Sequence, residues 1–111
     1  MKTNILINNE LLQGDSTPEK IINPVNSELI VEVPQSSEEQ VNKAVAAAKK
    51  AFVTWSKTTP GERSSMLLKL ADLIDSKAEE IAKLESLNTG KPFHLALNDE
   101  LPAISDVFRF Y

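Results

Sequence analysis

Cysteine is absent from the 111 residues, so no disulfide, thiolate metal site or cysteine nucleophile can be built within them. The only histidine is His94. That excludes a site made of several histidines, and a lone histidine on a helical pattern reads as a surface or packing residue, so it is assigned no function. Aromatic residues are few, at 5%. No basic residues interleave with Phe52 and Trp55 on their helix face, which excludes a base-stacking platform and makes the pair core anchors. Glycine is also scarce, with 3 residues, and the sequence has no glycine-rich dinucleotide or phosphate loop, no glycine-flanked nucleophilic serine and no histidine-glutamate zinc helix. Gly90-Lys91 lacks the first glycine and the following hydroxyl residue of a phosphate loop, and reads as a helix cap followed by a solvated lysine.

No apolar run approaches the about 18 residues that span a bilayer, and residues 1–9 lack the long apolar region of a signal peptide. A cytoplasmic location and no membrane partner are expected. Lysine and arginine total 12 against 16 aspartates and glutamates, a formal charge of -4. The two signs are interspersed, so no basic stripe is available to track a phosphate backbone and nucleic acid is not an expected partner.

What is present is ordinary for a globular protein: 41% hydrophobic and 25% charged residues. The length suits one folded, water-soluble segment and leaves no room for a second complete domain. Residues 1–34 carry the strand signals. Asn4-Ile5-Leu6-Ile7 and Glu10-Leu11-Leu12 flank Asn8-Asn9, a pair that tolerates the left-handed conformations of a tight hairpin. Lys20-Ile21-Ile22 and Leu29 to Val33 flank a second turn, Asn23-Pro24-Val25-Asn26-Ser27, and Pro34 ends the strand.

Residues 35–111 carry helical patterns. Ser36 with Glu39 and Ser37 with Gln40 form two overlapping capping boxes, so a helix is predicted to begin near residue 37. Its apolar stripe is Val41, Ala44, Val45, Ala48, Phe52 and Trp55. Thr59-Pro60-Gly61-Glu62 opens a second helix, whose stripe runs without interruption from Met66 to Leu87 and stops at Gly90. Pro92 restarts the pattern through Leu95, Leu101, Ile104 and Phe108, with Pro102 as a kink or break. Val107, Phe108, Phe110 and Tyr111 form an apolar cluster where a finished domain more often frays with polar residues, so the chain is expected to be cut within an element. Asp99, Glu100 and Asp106 have two readings: residues 99 and 106 share one helix side, which suits paired carboxylates for acid-base work, but on a helix in an acidic protein such residues are usually a solvated face.

Taken in order, the hairpin, the Asn23-Pro24 turn, Val33-Pro34, the Ala-rich helix to Trp55, Pro60 to Arg63, Leu70-Ala71-Asp72-Leu73-Ile74 and Thr89-Gly90-Lys91-Pro92 resemble the opening of NAD(P)-dependent aldehyde dehydrogenases. The resemblance covers essentially the whole chain. Within the family, Phe93-His94, Asn98-Asp99-Glu100, Pro102-Ala103-Ile104 and Asp106 to Phe110 look most like γ-aminobutyraldehyde dehydrogenase, and next betaine aldehyde dehydrogenase.

The resemblance implies a fold and a function. As an isolated chain the expected class is α+β, two N-terminal β-hairpins followed by three or four helices. In the family these form an incomplete N-terminal part, residues 1–111, of the α/β Rossmann-like cofactor-binding domain. The implied activity is NAD-dependent oxidation of an aminoaldehyde such as 4-aminobutanal to the acid. The family's cysteine nucleophile, catalytic glutamate, oxyanion-hole asparagine and dinucleotide-binding strands all lie downstream of the matched region, so this chain is expected to have no catalytic or cofactor-binding residues and to be inactive alone. Expected partners are the remainder of such a chain, its substrate and further copies in a homo-oligomer. The alternative is a non-catalytic truncated module that pairs through its helix faces.

Site residues also follow from the resemblance. Glu100 and Asp106 would stand at the substrate entrance and attract an ammonium group. Relatives of this kind can hold Na+ or K+ between a backbone carbonyl just before Asn-Pro and a side chain before Thr-Gly-Lys, here Ile22, or else Ile21, and Asn88. The family's acidic residue is Asn88 in this sequence, which keeps an oxygen ligand and loses a charge; the other reading of Asn88 is a polar helix-terminal cap.

Overall fold

The computed structural model describes residues 2–111, which form two compact units. The first contains the residues up to Ile22 together with Leu29–Lys57; the second contains Asn23–Glu28 and Thr58–Tyr111.

In the first unit, β1 (Ile5–Ile7) and β2 (Glu10–Leu12) pair antiparallel, with Ile7 opposite Glu10. Asn8 and Asn9 adopt φ of 53° and 65°, the left-handed pair that a two-residue hairpin turn requires. A second antiparallel pair joins β3 (Pro18–Ile22) to β4 (Leu29–Pro34), so β3 starts two residues before the expected strand. Ile21 faces Val31 and Ile22 faces Leu29, which leaves Ile30 as the extra residue of a bulge.

Helix α1 (Glu38–Trp55) begins as the sequence predicts, and Ser37 is its cap: Gln40 donates its backbone N–H to Ser37 Oγ at 3.3 Å. The rest of the expected box is replaced. The Ser37 N–H donates to Asp15 Oδ1 at 3.1 Å, and the buried Gln40 side chain donates to Gln13 O at 2.8 Å while accepting from the Asp15 N–H at 3.3 Å. The Ser36 box does not form, because the helix is capped at Ser37 and Ser36 lies outside it; the Glu39 side chain pairs with Lys43, 2.7 Å away. Residues 13–16 are thus fastened along the β4–α1 junction, with Ser16 N–H donating to Gln35 O. Gly14 sits at the tightest crossing: a Cβ there would fall 2.2 Å from Pro34 O.

Phe52 and Trp55 are not core anchors. They are 63% and 42% exposed, and Val41 and Val45 on the same stripe are about as open, at 52% and 48%. The stripe is amphipathic as read, but β1 covers only a small part of the helix.

In the second unit, α2 (Pro60–Ser76) has a complete capping box: Thr59 N–H donates to Glu62 Oε2 at 2.7 Å and Glu62 N–H donates to Thr59 Oγ1 at 3.3 Å. The uninterrupted Met66–Leu87 stripe is in fact two helices, because the backbone breaks at Lys77 (φ -113°, ψ 12°) before α3 (Ala78–Thr89). Ser76 Oγ donates back to Leu73 O at 2.9 Å, and the Lys77 N–H is shared between Leu73 O and Ile74 O. This local pairing competes with the regular ladder and ends the helix without glycine or proline.

After Gly90 the chain continues as α4 (Phe93–Leu95), a π-helical turn (Ala96–Glu100) and α5 (Leu101–Phe110). Pro102 therefore does not break the helix. It cannot donate to the ladder, and the widened turn just before it, closed by Leu101 N–H to Ala96 O, absorbs the defect. The core is Ala82, Ala96 and Leu101, with Ile74, Ala78, Ile81, Phe93 and Leu97 packed around it. Helix α5 packs on α2. Their fully buried residues are small, Ala71 and Ser105, and Ser105 Oγ is satisfied by Leu101 O and Pro102 O.

Two substitutions test this backbone account with opposite signs. Gly14→Ala forces a methyl against fixed carbonyls and is expected to cost about 1–3 kcal/mol. Ser27 holds φ at 61°, so Ser27→Gly is expected to stabilise by about 1 kcal/mol. Chemical denaturation of the three chains measures both; an unchanged midpoint for either contradicts the geometry.

Candidate functional site

The residues singled out by the sequence gather mostly around the end of α3. Gly90 caps that helix in the left-handed conformation, φ 75°, and donates its N–H to Ser86 O at 3.0 Å. A Cβ at Gly90 would meet Pro24 Cγ at 3.1 Å and Val25 Cγ2 at 3.6 Å, so the Asn23–Glu28 turn closes directly on this corner. That turn is held by its own side chains: Val25 N–H donates to Asn23 Oδ1 at 2.9 Å and Glu28 N–H to Asn26 Oδ1 at 3.1 Å. A shallow groove beside it is lined by Asn23, Val25, Lys83, Ser86, Leu87 and Phe93.

Lys91 follows the corner and is not a solvated lysine. Its Nζ lies 2.7 Å from Glu100 Oε2 on the π-helical turn and 3.2 Å from Glu85 Oε1 on α3. The bonds to Glu100 and then Glu85 raise the Lys91 pKa. Thr89 completes the corner: Thr89 Oγ1 donates to Glu85 O at 2.8 Å and accepts the Lys91 N–H at 3.3 Å.

The two entrance carboxylates are therefore differently placed. Glu100 is engaged by Lys91, whereas Asp106 on α5 is 81% exposed and only 3.9 Å contact with Arg109 Nη1 links it to a cation. Each has its own counter-charge, Lys91 for Glu100 and Arg109 for Asp106. Asn88 lies exposed in the last turn of α3, and its side-chain amide makes no hydrogen bond among the described residues, leaving its oxygen available to a hard cation. Ile22 ends β3 in the first unit. No group of three or more histidine, aspartate or glutamate side chains among the described residues is arranged to hold a metal ion, and His94 is exposed.

Sequence reasoning missed the ionic partners. Arg109 Nη2 reaches across to α2, 2.5 Å from Asp75 Oδ2 and 3.1 Å from Asp72 Oδ1. These partners lie 34 and 37 positions away in the chain, and no spacing rule within a helix reports them.

The sequence profile of the aldehyde dehydrogenase family matches residues 12–111. The chain belongs to the aldehyde dehydrogenase family. An aldehyde dehydrogenase of Alternaria alternata is 42% identical over 111 residues, covering 98% of this chain and 22% of the relative. The 2-aminomuconic semialdehyde dehydrogenase of Danio rerio is 44% identical over 88 residues, covering 79% of this chain and 18% of the relative. The NAD+ complex of an aldehyde dehydrogenase from Bacillus cereus superposes with a TM-score of 0.93 at 34% identity, over 100% of this chain and 23% of that structure. The chain thus spans about a fifth of the length of the aldehyde dehydrogenases it matches. Its two small antiparallel sheets and its helices are a fragment of their fold. No helix among the described residues is long and apolar enough to cross a membrane.

The Arg109 cluster yields a pH prediction. Hydrogen bonding from Arg109, and then from Ser105, holds the Asp75 carboxyl below its ordinary value of 3.8. A depressed carboxylate pKa stabilises the folded chain above the ordinary value, and that contribution is lost as pH falls through the lowered folded value. Asp75→Asn should lower Tm at pH 7 and narrow the drop in Tm on acidification to pH 3. Parallel melting curves for the two chains at both pH values would contradict it.

Proposed function

We propose that this chain is the N-terminal part of an NAD-dependent aldehyde dehydrogenase that oxidises an aminoaldehyde such as 4-aminobutanal to the acid, with betaine aldehyde as the next candidate. The observation that carries the enzyme class is the family match over residues 12–111. NAD supplies the hydride acceptor, as the Bacillus cereus complex supports, and no residue of this segment is assigned to it. Asp106 supports the preference for a cationic aldehyde, because an exposed carboxylate raises the local concentration of an ammonium group. Glu100 contributes less to that field, since Lys91 neutralises it.

The uncovered faces of α1 and α5 support a further part of the reading: the remainder of the chain, in the Rossmann-like domain of the family, packs against them, and the whole assembles as a cytoplasmic homo-oligomer. Pairing of this segment alone through the same faces is the alternative. In kinetic assays the complete protein is expected to turn over 4-aminobutanal with a higher kcat/KM than butanal, and this chain alone to produce no NADH from either. Equal values for the two aldehydes would remove the aminoaldehyde reading; NADH from the chain alone would remove the assignment of chemistry to the rest of the protein.

The cation proposal is separate. As the family resemblance implies, Asn88 Oδ1 is proposed to offer Na+ or K+ a neutral oxygen only, so binding is weak and a carboxylate there should strengthen it. In the complete protein, Asn88→Asp is expected to increase the gain in Tm on replacing a bulky organic cation with K+. Identical curves in all cations for both proteins would dismiss the site.

A further inference from the structure

We infer that Lys91 is an obligate bridge between like charges, a positioning residue that fixes the π-helical turn against the end of α3. The inference rests on the ionic geometry alone and is independent of the proposed substrate. Glu85 and Glu100 belong to different elements, and both touch the same nitrogen. Without Lys91 the two carboxylates are close neighbours of one sign, so the attraction that joins α3 to the turn becomes repulsion.

Three features make this more than a solvated surface pair. The Lys91 side chain is 32% exposed and Glu85 is 39% exposed, less than the other lysine pairs of the chain, whose lysines are 59–69% exposed. The Lys91 backbone is itself fixed, by Gly90 on one side and by its N–H bond to Thr89 Oγ1. The turn it reaches is the least regular part of the helical stretch, with Leu101 N–H bonded to Ala96 O and proline next in the chain. A turn with a weakened ladder depends more on side-chain contacts for its position. Lys91 thereby also decides that Glu100 has a close counter-charge.

The distinguishing consequence is a change of sign. With Lys91 in place, Glu100→Gln removes an attraction; in a Lys91→Met background it removes a repulsion. Hydrogen exchange at the Leu101 amide in the full chain reads this locally. Glu100→Gln alone is expected to speed exchange roughly twofold to fivefold, the range of an ion pair of this kind, and the same change added to Lys91→Met is expected to slow it. Lys91→Arg should stay close to the parent, since charge rather than stem packing does the bridging. An effect of Glu100→Gln with the same sign in both backgrounds overturns the inference, as does Lys91→Met with parental exchange. If Lys91→Met leaves no folded chain, recovery of folding on adding Glu85→Gln or Glu100→Gln supports the bridge, and failure to recover overturns it.

Discussion

The left-handed corner at Gly90 is the constraint on which most of the second unit depends. Only a residue without Cβ holds φ 75° there at no steric cost while Pro24 stands 3.1 Å from where that Cβ would be. The reversal at this corner turns the chain back on α3, so that Ala96 and Leu101 meet Ala82. It also brings Glu100 within reach of a lysine that already touches Glu85. Helix punctuation, core and ion bridge are three results of one backbone conformation.

What could be read from the sequence follows the range of each interaction. The Asn8-Asn9 turn, the Ser37 cap, the Thr59 to Glu62 box and the Gly90 stop each involve partners within four positions, and each is found where the local pattern puts it. The Lys77 break was invisible because hydrophobic spacing continues across it, while the cause is polar: Ser76 Oγ bonding back to Leu73 O. Pro102 was legible as a defect but not in its resolution, since a π-helical turn and a kink answer the same missing donor.

For the candidate site the limit is sharper. Asn88 and the entrance role of Glu100 and Asp106 come from family resemblance, and the helical spacing that groups the acids does not tell Glu100 and Asp106 apart. Their difference comes from cations at other places in the fold, Lys91 for Glu100 and Arg109, at a longer distance, for Asp106. Gln40 illustrates the same point in the first unit: a residue read as half of a local capping box is buried and spends its side chain on Gln13 and Asp15, 27 and 25 positions away.

The balance of forces bears on what the segment is. Three of the four buried hydrophobic residues of the second unit, Ala71, Ala82, Ala96 and Leu101, are alanines, and hydrophobic stabilisation scales with apolar area removed from water, of which alanine offers little. Meanwhile Leu73, Leu84, Ile104 and Val107 remain 43–56% exposed. Specific geometry here therefore rests unusually on caps, turns and bridging cations, while the larger apolar faces remain uncovered. That division suits a piece of scaffold whose polar pins set its internal shape and whose apolar faces bind it to something larger. It is the arrangement to be expected if these residues, about a fifth of an aldehyde dehydrogenase in length, make most of their hydrophobic contacts with the other four-fifths.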